Sequence, residues 1–514
     1  MIILRNIKLR PGEEKNLRAK IENLIEEKDF SFEIYKRSLD ARKEIFYVYQ
    51  VLVDCKVKDK IYKKLKNNIG DYREEKLIIE NKNNVRSALV VGAGPSGLFC
   101  AYTLLKAGVK VKIIERGDDI DSRLKKINNF LYTGELDTES NISFGEGGAG
   151  TFSDGKLTSR SKDPRSRKIF EILHNHGGPE DILYDSMPHI GTDILRGVIK
   201  NIRKSIIDMG GEIYFRRKLI DLKIKGGRIL SVMTNEGGMK SDEYILALGN
   251  SARDTFDLLK KYVSLESKPF AVGFRIEHLR EDINFAQYKR EDKNLPPATY
   301  ALTYSKKENS HNAYTFCMCP GGLVIPSSSE KDLLAVNGMS YHRRSGLNSN
   351  SALVASIDKK IFGEGPLAAM NYQRKIEKKA FILGGGSFAA PVQRLEDFLE
   401  DRPSQGPGKI IPSYKPAYKF TNLNNLYEPS ITKVLKEAID SMDKKLKGFG
   451  DKDAILTGAE TRTSSPIRIL RESYHTLEFE NLRPIGEGSG YAGGIISSAL
   501  DGLKCAIEIL EGTC

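Results

Sequence analysis

The sequence predicts an α/β fold built around a parallel sheet, and three observations lead to this prediction. The segment Ala88–Arg116 reads as a strand, a glycine turn, a helix and a second strand. Near the C-terminus, the segment Leu482–Leu510 again places a glycine turn before a helix with apolar residues at helical spacing. The chain has 514 residues, and since domains usually span about 100 to 200 residues, it can form two or three of them.

The first glycine turn has the features of a dinucleotide-binding site. Gly92 permits a tight turn, Gly94 lets the backbone approach a pyrophosphate, and Gly97 lets the helix lie close to the sheet. The phosphates would then meet the first amides of the helix. Glu115 ends the second strand at about the 20-residue spacing of a carboxylate that binds both ribose hydroxyls. The segment therefore predicts a site for an adenine dinucleotide.

The first 85 residues predict a separate small α/β module. Strand-like segments at MIILRNIKL and EIFYVYQVLVDC alternate with helical patterns at GEEKNLRAKIENLIEE and KDKIYKKLKN. This order indicates a ferredoxin-like module over residues 1–85, and the polar segment ENKNNVRS is the linker that follows it.

The rest of the chain divides into three parts. We expect the first part of the dinucleotide domain at 86–263, with an inserted segment at about 158–205, and its C-terminal part at 471–514. Residues 264–470 mix strands, loops and helices, and predict an inserted α+β substrate domain. A second nucleotide site at FILGGGSFAAPVQ is rejected, because Ala389 replaces the third glycine and Pro391 would interrupt the following helix.

The composition limits where the protein is expected in the cell and which partners it could bind. The longest apolar stretches are far shorter than the roughly 20 residues of a membrane span, and the N-terminus lacks the apolar centre of a secretory signal. The six cysteines form no regular framework, so we expect a cytoplasmic protein without structural disulfides. The net charge of +13 attracts phosphates, either of a nucleotide or of RNA, or it describes only a solvated lysine-rich surface.

Three separated segments resemble the FAD-binding oxidoreductases of the glutathione reductase and hydroxybenzoate hydroxylase superfamily. They are the first glycine turn with IIER, then YILALGNSARDT, and finally LRPIGEGSGYAGGIISSALDG. The resemblance implies a discontinuous, glutathione reductase-like FAD-binding Rossmann domain. It also implies that Glu487 takes the place of an aspartate that binds the ribityl hydroxyls, and that the backbone of Leu219 contacts the adenine. The cofactor contacts so predicted are Gly92, Gly94, Pro95, Ser96, Gly97, Glu115, Arg116, Arg123, Gly148, Ala149, Gly150, Leu219, Ala247, Gly249, Gly486, Glu487, Gly493, Gly494 and Ile495.

Within this superfamily, the chain is similar to a family of FAD-dependent dehydrogenase-like proteins of unassigned substrate. The shared motifs are FGEGGAGTFSDGKL, KPFAVGFRIEH, CMCPGG, LTGAETRTSSP and GEGSGYAGGI. The resemblance to this family implies a flavin cofactor but says little about the reaction. A helix that begins near Gly493 would direct its amides at the edge of the flavin that becomes negative on reduction.

Six residues are candidate catalytic groups, and each has a structural alternative. Cys317 and Cys319 form a C-x-C pair whose side chains share one face of a strand, either as redox or substrate-contacting thiols or as buried structural cysteines. Lys156 either lies near the flavin or an anionic substrate, or is solvated. Arg275 and His278 either bind an acidic substrate or supply an acid or base, or they belong to a strand with a buried ion pair. Arg462 lies either at the mouth of the site or in a capped loop.

The sequence thus predicts a FAD-dependent oxidoreductase in which a hydride moves between a small-molecule substrate and the flavin N5. NAD(P)H is a candidate transient electron donor, and no metal site is expected. The alternatives are an RNA-binding or tRNA-modifying flavoprotein, and a flavin-dependent sensor or scaffold. The sequence determines neither the substrate nor the oligomeric state.

Overall fold

The structure is a computed structural model that describes residues 1–73, 79–159, 161–306 and 312–512. Cys514, one of the six cysteines, lies outside these residues. The described chain forms an N-terminal unit, a Rossmann-like unit assembled from two parts of the sequence, and a unit around a large mixed sheet. The predicted α/β fold with a Rossmann-like domain is confirmed.

The N-terminal unit has one antiparallel sheet with the strand order β2-β3-β1-β4. Buried Leu4, Ile21 and Val51 join the sheet to its first helix in one core. The elements are β1 (Ile2–Leu9), α1 (Leu17–Ile25), β2 (Ser31–Asp40), β3 (Phe46–Asp54), α2 (Asp59–Leu65) and β4 (Ile69–Asp71).

The N-terminal unit docks on the Rossmann-like unit through Arg37. Its guanidinium donates to Asp185 Oδ1 at 2.6 Å and to Oδ2 at 2.8 Å. The backbone amide of Arg37 donates to Tyr184 O, and the Ser186 amide donates to Arg37 O. The contact therefore combines a bidentate ion pair with a short stretch of strand-like pairing.

The Rossmann-like unit begins immediately after the linker. Its elements before the mixed sheet are β5 (Ser87–Val91), α3 (Pro95–Lys106), β6 (Lys110–Ile114), α4 (Ile120–Thr133), α5 (Ser166–Asn175), α6 (Thr192–Asp208), β7 (Glu212–Tyr214), β8 (Leu219–Lys225), β9 (Arg228–Thr234), β10 (Gly237–Met239), β11 (Glu243–Leu246) and α7 (Arg253–Leu259). Strands β8 and β9 form a hairpin whose two loop residues, Gly226 and Gly227, both have the positive φ that a primed turn requires.

The mixed sheet has the strand order β14-β15-β18-β13-β21-β19-β20 and is antiparallel except between β19 and β20. Apolar side chains of β13 and β18 pack against helices α10 and α12 in one core. The elements are β12 (Leu265–Ser267), β13 (Phe270–Leu279), α8 (Arg280–Tyr288), β14 (Thr303–Tyr304), β15 (Ala313–Cys319), β16 (Leu323–Pro326), β17 (Val336–Met339), β18 (Asn348–Ile357), α9 (Lys359–Phe362), α10 (Ala368–Leu383), β19 (Ala390–Arg394), α11 (Leu395–Leu399), β20 (Tyr418–Phe420), α12 (Pro429–Lys445) and β21 (Ile455–Glu460).

The C-terminal segment returns to the Rossmann-like unit. Its elements are β22 (Ile467–Ile469), β23 (Arg471–Glu472), β24 (His475–Thr476), β25 (Leu482–Pro484) and α13 (Ile495–Glu511). Strand β25 pairs with β11, which gives a parallel sheet of order β25-β11-β5-β6-β7. Helix α13 packs against α3, and its apolar residues at helical spacing, such as Ala499, Leu503 and Leu510, are buried.

The rejected glycine triplet at Gly384–Gly386 follows helix α10 rather than a strand, so it lacks the strand-to-helix geometry of a nucleotide turn. Over the residues described by the structure, no helix combines the length and apolarity that a membrane crossing requires.

Candidate functional site

The first glycine turn is closed toward the protein and open on its outer side. A Cβ on Gly92 would lie 2.5 Å from Ala247 O, and one on Gly97 would lie 2.0 Å from Gly92 O, so neither position accepts a side chain. A Cβ on Gly94 would meet Gly148 Cα at 3.9 Å as its nearest atom. Helix α3 begins at Pro95, and the first amides of a helix have no intrahelical acceptor. The turn therefore presents backbone amides to an anion without any side chain in the way.

Glu115, at the end of β6, holds three backbone turns together. Its Oε2 accepts from the Ala93 amide at 2.9 Å, and its Oε1 accepts from the amides of Gly117 at 2.9 Å and Gly145 at 3.0 Å. A carboxylate offers about four acceptor positions. About one position remains, so we expect Glu115 to accept from one ribose hydroxyl rather than from both.

The C-terminal glycine turn lies directly beside the first one. A Cβ on Gly486 would lie 2.5 Å from Ser96 Oγ, and one on Gly502 would lie 2.1 Å from Ser96 O. The Gly486 amide donates to Asp501 Oδ2 of α13 at 2.7 Å, which fixes the turn on the helix that follows. Added Cβ atoms on Gly493 and Gly494, just before α13, would meet no described atom within 4 Å. The C-terminal turn and the middle of α13 thus pack against the start of α3, and the positions just before α13 face open space.

Glu487 follows this turn and is partly exposed. Asn250 Nδ2 donates to its Oε1 at 2.9 Å, and the Gly488 amide donates to Leu248 O at 3.0 Å. Although part of the residue is exposed, desolvation of its carboxyl group raises the pKa of Glu487 to about 7. The segment Ala247–Asn250 and the C-terminal turn are therefore neighbours, and a carboxyl able to hold a proton near neutral pH lies between them.

A glycine-rich loop connects the two helix starts. The Gly147 amide donates to Ala93 O at 2.8 Å, and a Cβ on Gly150 would lie 2.9 Å from Ile495 Cγ1. Arg123 of α4 is fully buried and donates to the carbonyls of Asn141, Ile142 and Glu146 at 2.7–2.9 Å. Burial lowers the pKa of Arg123 to about 9. Arg123, a predicted cofactor contact, therefore positions this loop through its carbonyl groups.

Two other predicted cofactor residues lie near the end of β6. Arg116 donates to both carboxylate oxygens of Asp254, at 2.8 and 3.0 Å, and its guanidinium lies 4.0 Å from the centre of the Phe144 ring. Leu219 is buried at the start of β8. A cavity of about 760 Å³ opens beside Arg116 and extends to Arg374 of α10, so this end of the site borders the mixed-sheet unit.

The end of the glycine-rich loop carries Lys156 into a buried cluster. The Lys156 ammonium donates to Met318 O, lies 3.2 Å from Asp154 Oδ2, and lies 3.9 Å from Cys319 Sγ. Asp154 is 1% exposed and also contacts Arg344 Nη2 at 3.2 Å. Although burial alone would raise it, the charges of Lys156 and the other cations hold the pKa of Asp154 well below its ordinary value. Lys156 is therefore an ion-paired group and not a solvated one.

Arg275 joins the same cluster from β13. Its Nη2 lies 3.5 Å from Cys319 Sγ, 2.9 Å from Cys317 O and 2.6 Å from Asn350 Oδ1, while its Nη1 lies 3.4 Å from Glu460 Oε2. Burial raises the pKa of Glu460 to about 7, against the opposing charge of Arg275. The structure thus brings Lys156, Arg275, Cys317 and Cys319 together, as four of the six catalytic candidates.

The other two candidates lie elsewhere. On β13, His278 alternates with Arg275 and points to the opposite face, where its Nε2 lies 2.8 Å from Phe449 O in the apolar core. Burial lowers the pKa of His278. Arg462 is also buried, and it donates to Glu377, Ser251 and Ser329. His278 therefore lies outside the cluster of Lys156, Arg275 and the two cysteines. Arg462 lies in a network that connects the two large units.

Sequence reasoning missed several residues of the cluster. Asp154 and Glu460 carry the carboxylates that face Lys156 and Arg275, and Asn250 holds Glu487. Asp154 is two residues before Lys156, so its spacing offered a weak signal in the sequence. Glu460 and Asn350 reach Arg275 only because β21 and β18 flank β13 in the sheet.

The residues present fit a dinucleotide with a flavin at one end. The C-terminal turn packs against the start of α3, a buried carboxylate ends the second strand, and the positions at Gly249, Gly493 and Gly494 face space that no described atom fills within 4 Å of an added Cβ. Together with the parallel sheet, this arrangement defines a Rossmann-type flavin-binding protein.

Comparison with known proteins gives the family. The family described as "FAD-dependent protein, C-terminal domain-like" matches residues 269–463, and an "NAD(P)-binding Rossmann-like domain" matches residues 90–143. A protein of Clostridium beijerinckii, described as uncharacterized, is 43% identical over 509 residues, which cover 97% of this chain and 95% of that protein. The chain belongs to this family of FAD-dependent proteins.

Two solved structures are similar to this chain at low identity and low TM-score. The flavin-dependent brominase Bmp2 is 13% identical with a TM-score of 0.38, over 83% of this chain and 79% of that chain. Glycine oxidase from Bacillus cereus is 13% identical with a TM-score of 0.34, over 84% of this chain and 95% of that chain. The family assignment rests on the sequence relative and not on these weak likenesses.

Proposed function

We propose that the protein is a FAD-dependent oxidoreductase that moves a hydride between a small organic substrate and FAD. The observation that supports this most directly is the packing of the C-terminal turn and the glycine-rich loop against the start of α3, next to the cluster of Lys156, Arg275 and the two cysteines. FAD, when bound, supplies the group that accepts or gives the hydride. The protein supplies binding, orientation and charge.

The two ends of the glycine-lined site have separate roles in this proposal. The backbone N–H groups of Ser96 and Gly97, at the start of α3, bind the pyrophosphate, and Glu115 accepts from a ribose hydroxyl. Because the pKa of Glu487 is near 7, its carboxyl can donate to one ribityl hydroxyl as well as accept. The amides at the start of α13 stabilise the negative charge that develops on reduction.

The buried cluster supplies proton and charge control. Glu460, with a pKa raised to about 7 by burial, can hold or release a proton at its carboxylate near neutral pH, and Arg275 fixes its position. Lys156 provides a positive charge beside the thiols. NAD(P)H stays a candidate transient donor of electrons, and the substrate stays a small molecule of unassigned identity.

The domain assignments belong to the same proposal. The order of strands in the N-terminal unit supports a ferredoxin-like module at 1–85. Residues 264–470, which carry the mixed sheet, would form the inserted substrate domain between the FAD-binding parts at 86–263 and 471–514. A cytoplasmic location also stays a prediction.

A paired substitution tests the proposal. Gly94 has φ −78° and would carry a Cβ with no close neighbour, so Gly94→Asp fits the fold but places a carboxylate where the pyrophosphate would bind. Gly197→Asp is the matched control, because Gly197 is exposed on α6 and an added Cβ there would meet no described atom within 4 Å. We expect purified wild-type protein and G197D to be yellow and to release FAD on heating.

The expected result for G94D is a colourless protein with an unchanged far-ultraviolet circular dichroism spectrum. A G94D protein with wild-type FAD content would contradict the proposed site. A wild-type protein that binds no FAD would contradict the function itself. Bleaching of bound FAD by candidate substrates or NAD(P)H, under anaerobic conditions, then identifies the electron donor.

A further inference from the structure

We infer that Cys317 and Cys319 form a redox-active dithiol that exchanges two electrons with the bound FAD. This inference rests on the proposed function, because FAD is the electron partner. The two cysteines lie at the end of β15, where regular pairing with β18 is interrupted. Phe316 pairs with Ala352 and Cys319 pairs with Asn350, so three steps along β15 match two steps along β18.

The backbone at this bulge departs from the geometry of a regular strand. In a regular strand, Cα atoms two residues apart are about 6.6 Å apart, near the upper limit of about 6.8 Å for a disulfide. A bulge bends the strand, and Cys317 has a left-handed φ of +44°, an unfavourable conformation for a residue with a side chain. Cys319 Sγ lies 3.3 Å from Cys317 O, so the buried thiol is folded over the backbone of its partner.

Charged groups surround the pair unequally. Lys156 Nζ lies 3.9 Å and Arg275 Nη2 lies 3.5 Å from Cys319 Sγ. Two carboxylates belong to the same cluster, Asp154 at 3.2 Å from Lys156 Nζ and Glu460 at 3.4 Å from Arg275 Nη1. A hydrogen bond from Cys319, together with the charges of Lys156 and Arg275, lowers the pKa of Cys317 to about 5, whereas burial raises the pKa of Cys319. The two cations therefore favour a thiolate within the pair.

The pair also lies next to the flavin-binding segments. Lys156 ends the loop whose Gly150 approaches Ile495 at the start of α13. The remaining described cysteines lie in other surroundings: Cys100 and Cys505 are buried in the α3–α13 core, and Cys55 belongs to the N-terminal unit.

The electron balance needs no further reagent. The Cys317 thiolate and the Cys319 thiol form one S–S bond and release two electrons and one proton. FAD takes up the two electrons and the proton and becomes the reduced anion FADH⁻. The reverse transfer, from reduced flavin to the disulfide, breaks the S–S bond and restores the thiolate and the thiol. In this way the pair stores two electrons beside the cofactor.

An anaerobic dithionite titration of the FAD-loaded protein tests the inference. Because FAD and a disulfide each accept two electrons, we expect air-oxidised wild-type protein to take up about four electrons per FAD. Cys317→Ser and Cys319→Ser should each take up about two. Cys55→Ser is the matched control and should keep the wild-type value, because Cys55 lies outside the cluster.

Mass spectrometry of the wild-type protein gives a second measurement that does not depend on variants. The tryptic peptide that ends at Lys331 contains Cys317 and Cys319 and no other cysteine. After oxidation, it should resist alkylation and be lighter by two hydrogen atoms, and after reduction it should take up two alkyl groups.

The outcomes separate this inference from the proposed function. A yellow wild-type protein that takes up about two electrons per FAD, with both thiols alkylated after oxidation, overturns the dithiol and leaves the FAD-dependent function intact. Cys317→Ser and Cys319→Ser variants that still take up about four electrons also overturn it. A colourless wild-type protein overturns both, since the electron partner would be missing.

Discussion

Glu377 offers the most quantitative test of the structure, because one buried carboxylate holds two buried guanidinium groups. Its oxygens accept from Arg253 at 2.7 and 2.8 Å, from Arg462 at 2.9 and 3.1 Å, and from Thr461 Oγ1 at 2.7 Å. Glu377 is 0% exposed and Arg253 is 1% exposed. This network connects α7 of the Rossmann-like unit with α10 and the end of β21.

Glu377→Ala leaves buried Arg462 without a carboxylate partner and leaves Arg253 with Glu330 alone, to which its Nη1 donates at 2.8 Å. Removing one partner of a buried ion pair costs about 3–5 kcal/mol. For a domain of about 150–250 residues, each kcal/mol lowers the melting temperature by about 2–4 °C, so we expect a decrease of about 6–20 °C. The assay is thermal unfolding followed by circular dichroism at saturating FAD, which keeps the contribution of bound cofactor equal between variants.

Two controls make this prediction specific. Glu281→Ala removes an exposed carboxylate and should change the melting temperature by no more than about 2 °C. A triple variant, R253M/E377L/R462M, replaces the charges by apolar side chains and should recover much of the loss. An E377A protein that melts within about 2 °C of the wild type would refute the reasoning about this network.

The network should also respond to pH in a defined direction. Burial alone would raise the pKa of Glu377, but the charges of Arg253 and Arg462 lower it below its ordinary value. The stabilisation is therefore present above the unfolded-state pKa of about 4.3 and is lost as the pH falls through the lower folded-state pKa. The difference in melting temperature between wild type and E377A should shrink in acid.

Three further outcomes are expected. Asp185→Ala removes the partner of the partly exposed Arg37, so protease cleavage between the N-terminal unit and the rest should become about fivefold faster, and an unchanged rate would contradict the docking. Lys156→Met removes a positive charge that lowers the pKa of Cys317, so the pH midpoint of Cys317 alkylation should rise by about one unit or more, and an unchanged or lower midpoint would contradict this. Glu115→Gln replaces the carboxylate proposed to accept from a ribose hydroxyl; loss of this charged hydrogen bond, about 1.5–3 kcal/mol, should weaken FAD binding by about 10- to 150-fold in a fluorescence titration, and wild-type affinity would exclude that role.

The sequence predicted the Rossmann-like unit because local chemistry fixes it. Gly92 and Gly97 lie where an added Cβ would clash with a backbone carbonyl oxygen. The spacing of the glycines in the sequence indicates such a constraint. The helical spacing of apolar residues predicted α13, because this pattern depends on neighbours within a few residues.

The candidate site could be predicted only in part, because its contacts join distant segments. Lys156, Arg275 and Cys319 belong to a loop, to β13 and to β15, and the order of strands in the mixed sheet brings them together. The sequence placed His278 beside Arg275 as a candidate. The alternation of side chains along β13 instead directs His278 into the apolar core.

By itself, the sequence determined the α/β class, the glycine turns for a dinucleotide and the family resemblance, because each of these depends on residues that are close together along the chain. Only the tertiary structure decided which charges surround the cysteines, how Glu115 and Glu487 are held, and where Arg462 lies. The physical reason is that electrostatic environment and burial depend on atoms within a few ångströms in space, whatever their separation along the chain.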